Sequence, residues 1–138
     1  MRTPPEPGRY APSMAPIDAS SELVDPAEIA VDPARVEEWR ARDPSLQVVD
    51  VREVYEREAG HLAGSIHIEL TQLPAQAERL IDRERPVVFY CRVGARSLMA
   101  AQALRASGLQ AHSMDGGLMR WASEGRPLTP EGGHVADH

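Results

Sequence analysis

The chain contains a single cysteine, Cys91, and its neighbours point to chemistry rather than to filling space. The apolar run Pro86–Tyr90 (PVVFY) ends directly at it, then come Arg92, Val93, Gly94, Ala95 and Arg96, and an Ala- and Leu-rich stretch starts near Ser97. A strand that turns into a helix puts that loop at the helix N-terminus, where unpaired backbone N–H groups and the positive end of the dipole face an anion. Arg92 and Arg96 add two cations with no acid between them. Gly94 lets the loop curl without a Cβ clash, so that successive amides point inward as an anion nest. All three features favour a nucleophilic thiolate. The plainer role of a strand-ending cysteine is that of a small core hydrophobe, but two arginines are poor choices for a dry core. The expectation is an anion-binding loop with a reactive sulfur at its base.

Other residue types offer less. His61, His67 and His112 lack metal-ligand spacing, and one cysteine can build neither a Cys-based zinc cluster nor an intrachain disulfide. His134 and His138 fall in what reads as a short tail. Trp39 and Trp121 read as core or rim packing, and Gly116-Gly117 as a turn needing positive φ. A Cys–His protease dyad has no family signature around Cys91.

The elements that must position the loop alternate short apolar runs with amphipathic, helix-length segments. Asp32-Pro33 combines an N-cap acid with proline at the first helical position; Val36 and Trp39 then share a face, and Asp43-Pro44 ends the helix. Leu46–Val51 (LQVVDV) is apolar enough for a strand covered on both faces, and Ile66-His67-Ile68 is a second, shorter one. A helix carrying Leu73, Ala77, Leu80 and Ile81 leads to Pro86–Tyr90, where proline occupies the first strand residue. Ser97–Ser107 is a helix stopped by Gly108, Leu109–Met114 a last strand, and Leu118–Ser123 a last helix. Strands alternating with helices require right-handed crossovers and a parallel sheet, so the fold class is α/β. Such sheets bind ligands at the carboxyl ends of their strands, which is where Cys91 stands.

Composition bounds the rest. The 138 residues are 42% apolar and 26% charged, enough for one ordinary domain with a buried core. Arginine supplies all 15 basic residues against 21 acids, giving a net charge of −6 and a pI near 5.3. That balance argues against a nucleic-acid partner, and no apolar run approaches the roughly 20 residues that span a bilayer. Seven of the 12 prolines fall in the first 33 residues. Residues 1–27 therefore read as a Pro-rich arm, 28–130 as the folded domain and 131–138 as a C-terminal tail. The first residues lack a signal-peptide core, which makes the expected location cytoplasmic.

At this point four separated stretches resemble the single-domain rhodaneses, or rhodanese-like sulfurtransferases. They are VVDVRE at Val48–Glu53 with Tyr55 and Glu56 behind it, GHLAGSIHI at Gly60–Ile68, VVFYCRVGARS at Val87–Ser97 and DGGLMRW at Asp115–Trp121. They parallel the family's VxDVRE, GHIxGA, CRxGxRS and GGxxxW in order, across most of the chain. The resemblance implies a rhodanese-like five-stranded parallel sheet flanked by helices on both faces, without metal or organic cofactor. It implies that Cys91 carries sulfur as a persulfide, taken from thiosulfate or a related anionic donor and passed to a thiol or sulfur-carrier acceptor. Within it, Arg92 through Ser97 would cradle the persulfide and Arg92 and Arg96 would orient the donor. Asp50 and Arg52 would line the mouth or brace the loop, with a purely structural salt bridge as the other reading. Departures from the pattern are Ala63 for the usual proline, Glu69 after the strand, and Val93 at a loop position that is often polar. The loop lacks the C-G-S-G-V-T character of mercaptopyruvate enzymes.

Two other classes compete. A Cys-based phosphatase or arsenate reductase shares the thiolate under an anion loop, but its loop reads C-x5-R, whereas Cys91 to Arg96 is C-x4-R, a tighter fit for sulfur than for phosphate. A persulfide carrier or binding module loaded by a partner protein would keep the same loop.

Overall fold

The computed structural model describes residues 23–138, so the expected arm lies outside the described residues up to position 22. Five strands form one sheet in the order β1-β5-β4-β2-β3, every pairing parallel. They are β1 (Ala30–Val31), β2 (Gln47–Asp50), β3 (Ile66–His67), β4 (Val87–Tyr90) and β5 (Ala111–Met114). Among the described residues, five helices connect and follow them: α1 (Pro33–Arg42), α2 (Val54–Ala59), α3 (Leu73–Leu80), α4 (Ala95–Ala106) and α5 (Gly117–Ser123). A turn of 3₁₀ helix, Leu70–Gln72, precedes α3. No described helix is long and apolar enough to cross a membrane.

Helices cover both faces, and the central strands divide their side chains between two cores. Val49, Val87, Phe89 and Cys91 join Leu73, Ala100, Ala101 and Leu104 under α3 and α4. Val48, Val88 and Tyr90 point the other way, to Val36, Trp39, Leu118 and Trp121 of α1 and α5. This two-sided burial is why β2 and β4 read as continuous apolar runs rather than alternating ones.

Local signals behave as their chemistry demands. Asp32 caps α1 by accepting from Arg35 N–H at 2.9 Å, and Val36 and Trp39 are buried on its inner face. Two elements carry no periodicity long enough to read. Strand β1 is two residues long, and α2 is a six-residue helix whose one buried residue is Glu56. Its sequence marker is a capping box, in which Glu53 and Glu56 satisfy each other's backbone N–H groups.

Candidate active site

Cys91 sits at the carboxyl end of β4, in the middle of the sheet, with its side chain 1% exposed. The chain then curls back over the sulfur. Gly94 adopts φ +110°, a left-handed conformation that glycine alone takes without strain. This turn sends Gly94 N–H to Cys91 Sγ at 3.1 Å and Ser97 N–H to the same sulfur at 3.4 Å. Ser97 Oγ lies 3.5 Å from Sγ and shares a hydrogen bond of 2.8 Å with Ser113 Oγ of β5. The sulfur thus lies at the base of a loop whose amides converge on it, at the N-terminus of the twelve-residue helix α4.

The loop is braced from outside by α5. Leu118 N–H donates to Cys91 C=O at 2.8 Å and Met119 N–H to Arg92 C=O at 2.9 Å. Gly117 makes this approach possible. A Cβ there would meet Arg92 O at 2.5 Å and Cys91 O at 2.7 Å, and its φ is +62°. The Gly116-Gly117 pair, expected as a turn, is therefore also the seat of the Cys91 loop.

The two loop arginines have different partners. Arg96 makes a forked pair with Glu56 of α2, Nη1 to Oε1 at 2.8 Å and Nη2 to Oε2 at 2.9 Å. Glu56 is fully buried, and Glu53 N–H also donates to its Oε1 at 3.0 Å. Burial alone would raise the Glu56 pKa, but Arg96 and these hydrogen bonds hold it below the ordinary value. The hydrogen bonds and charge of Glu56 in turn raise Arg96, against the opposing effect of burial. Arg92 stays at the rim, its guanidinium 3.5 Å from Asp137 Oδ1, while its Nε is buried without a hydrogen-bond partner among the described residues.

Asp50 and Arg52 are both fully buried at the end of β2 and bind each other. Arg52 donates from Nε to Asp50 Oδ1 and from Nη2 to Asp50 Oδ2, each at 2.8 Å, and from Nη2 to Gly60 C=O at 2.8 Å. Tyr90 O–H donates to Asp50 Oδ2 at 3.1 Å and accepts from Leu62 N–H at 3.1 Å. Arg57 adds a contact to Asp50 at 3.4 Å and holds Ser65. Burial, with the Asp50 charge beside it, pushes the Tyr90 phenol up to about 12. This network ties β2, β4 and the 60–65 turn together below the loop and presents neither Asp50 nor Arg52 to solvent.

Residues 131–138 lie against this edge of the domain. His134 N–H donates to Ala59 C=O at 2.9 Å, Val135 packs on the Trp39–Trp121 core, and Tyr55 O–H donates to Asp137 C=O at 3.1 Å. His138 Nδ1 lies 3.4 Å from Glu56 and 3.7 Å from Glu53. Those three residues form the single group of metal-ligand type among the described residues, with ligand atoms within 4.8 Å of one another. Both Glu56 oxygens already accept from Arg96, so a cation there would compete with a guanidinium. Nothing in the local sequence marks Ser113 or Asp137 as parts of this site, and Glu56 only weakly. The Glu53–Glu56 spacing is the one signal for Glu56; Ser113 and Asp137 meet the loop only through the fold.

Residues 32–124 match the rhodanese-like domain family. The chain belongs to that family. The rhodanese-like domain is 39% identical over 89 residues to the uncharacterized protein YqhL of Bacillus subtilis (strain 168), covering 64% of this chain and 70% of that one. It is 30% identical over 90 residues to the thiosulfate sulfurtransferase GlpE of Coxiella burnetii (strain RSA 331 / Henzerling II), covering 64% of this chain and 83% of that one. Among solved structures, a rhodanese-related protein from Thermoplasma volcanium superimposes with a TM-score of 0.67 at 29% identity, covering 73% of this chain and 97% of that one. The expected fold, a rhodanese-like α/β sheet covered on both faces, is the observed one.

Proposed function

We propose that this rhodanese-like domain is a sulfurtransferase that moves sulfane sulfur from thiosulfate, or a related anionic donor, through a persulfide on Cys91. The observation that carries the reading is the convergence of Gly94 N–H and Ser97 N–H on Cys91 Sγ at 3.1 and 3.4 Å. Donors placed in this way stabilise an anionic sulfur, and the same loop amides suit the terminal sulfur of a persulfide. The similarity to the thiosulfate sulfurtransferase GlpE supports the choice of donor.

In the first half-reaction the Cys91 thiolate attacks the outer sulfur of thiosulfate. The bond between that sulfur and the sulfonyl sulfur breaks, and sulfite leaves with the electron pair. In the second, a thiolate or cyanide attacks the terminal sulfur of the persulfide, and the Cys91 thiolate leaves. Both steps are thiol-exchange chemistry without net oxidation by an outside reagent, and they make the kinetics ping-pong. Arg92, at the rim, attracts the donor; Arg96, fixed by Glu56, holds the loop in shape and adds positive potential below it. A single thiolate that must stay reduced between turnovers fits a cytoplasmic setting.

The test is to incubate the protein with thiosulfate, remove the reagent and record the intact mass beside Cys91→Ser. A gain of one sulfur atom on the native protein alone, reversed by cyanide with release of thiocyanate, is the expected result. No gain would reject thiosulfate as the direct donor and turn the search to a protein donor that loads Cys91.

A further inference from the structure

Residues 125–138 lie beyond the stretch that matches the family, yet they are built into the edge that carries Cys91. Thr129 and His61 exchange backbone hydrogen bonds of 2.9 and 2.8 Å. Gly60 meets the strap so closely that a Cβ on it would lie 2.5 Å from His134 O, and a Cβ on Gly133 would lie 3.1 Å from Ala59 O. With Val135 packed, partly buried, against the core, the backbone has few places to go, and it delivers Asp137 to the rim. There Tyr55 O–H holds the Asp137 carbonyl at 3.1 Å, and the Asp137 carboxylate stands 3.5 Å from the Arg92 guanidinium.

Arg92 is the rim cation that an anionic donor meets first, and the strap has already set a carboxylate beside it. We propose that Asp137 is a specificity-determining residue: a built-in competitor that an anion must displace from Arg92 before it reaches Cys91. The proposal rests on the reading of Cys91 as the nucleophile, and it adds a prediction about selectivity that the reading does not contain. Small dianions bear the full competition. Neutral reagents and acceptors that do not use Arg92 bear none. Because Asp137 is fully exposed, the pair is of the screened surface kind, and its removal is worth about two- to fivefold in apparent affinity. The effect should shrink as salt rises.

The experiment compares alkylation of Cys91 by iodoacetate, an anion, with alkylation by iodoacetamide, its neutral counterpart, in the full chain at low salt. Asp137→Asn is expected to raise the iodoacetate rate about two- to fivefold and leave the iodoacetamide rate unchanged. The same variant should lower KM for thiosulfate by a similar factor with kcat unchanged. Arg92→Gln supplies the second arm, because in that background Asp137→Asn should change nothing, as a double-mutant cycle requires. An unchanged rate ratio in Asp137→Asn, or an equal effect with and without Arg92, overturns the proposal. If the ratio shifts as expected but thiosulfate leaves no sulfur on Cys91, Asp137 keeps its role and the donor assignment falls. If neither reagent reaches Cys91, both readings fall together.

Discussion

Two adjacent strands end in arginine-bearing turns, and the two ends have opposite characters. At the end of β2, Arg52 is fully buried, forked onto Asp50 and bonded to Gly60 C=O. At the end of β4, Arg92 and Arg96 keep about a quarter and a fifth of their side-chain surface, and the backbone between them wraps a sulfur. One end is closed, its guanidinium forked onto a carboxylate with only Nη1 left without a partner among the described residues; the other directs its amides at a sulfur. A buried ion pair contributes little net stability compared with a well-packed apolar pair, but it is costly to break. Such a pair makes a stiff foundation and a poor binding site. The open end gives up some of that rigidity and borrows it from Glu56 and from α5.

Substitutions can break this contrast. The largest effect is expected from Cys91→Ser, which should abolish sulfur transfer while leaving the thermal midpoint close to native; residual transfer above background would place the sulfur elsewhere. Next is Arg52→Met, which strands the Asp50 carboxylate in the core and should cost about 3–5 kcal/mol in urea unfolding. A loss below about 1 kcal/mol would mean that the closed end is not the foundation. Arg96→Ala acts at both levels. The sequence alone suggests weaker donor use at little cost in stability, but Glu56 is fully buried, so the structure adds a cost of about 2–3 kcal/mol for the abandoned carboxylate. Normal stability together with impaired kinetics would return Arg96 to a purely electrostatic role.

Acid supplies a smaller and reversible test of the same pair. Glu56 is held below its ordinary 4.5 in the folded protein, so its contribution is complete above that pH and is lost as pH falls through the lowered folded value. Arg96→Ala has already lost that contribution. Its deficit against the native protein should therefore narrow as pH drops below 4.5 in denaturation curves recorded at several pH values. The smallest expected effect is that of Tyr90→Phe, about 1–2 kcal/mol, from leaving Leu62 N–H without its acceptor. A neutral result there would show that the phenol is not needed to tie the 60–65 turn to β4.

The shape of the Cys91–Ser97 loop is legible in the sequence because its signals are local. A proline-led apolar run, one cysteine, a glycine and an Ala-rich helix lie within a few residues of each other, and backbone chemistry decides what they do. Asp50 and Arg52 were found but not resolved, since two residues straddling Val51 say nothing about whether the chain turns them to solvent or under the next turn. Exposure settles that, and exposure is a property of α2 and the 60–65 turn together. Glu56 was missed as a partner of Arg96 because the pairing spans two helices with no spacing rule between them. Residues 131–138 read as a tail because Gly132, Gly133 and His134 carry no periodicity, and the place of Gly133 and His134 comes from close backbone contact with Gly60 rather than from side-chain pattern.

The seating of the loop on α5 also bears on how the protein is made. Cys91 emerges from the ribosome ahead of Gly117, Leu118 and Met119, and those residues supply the close approach and the N–H groups that hold the Cys91 and Arg92 carbonyls. Strand β1 likewise waits for β5, its hydrogen-bonding neighbour. At about 5–20 residues per second, the nascent chain carries an unseated thiol for about a few seconds, open to the oxidants and electrophiles of its surroundings. Emergence of the last strand and helix is therefore also the step that takes the sulfur into custody.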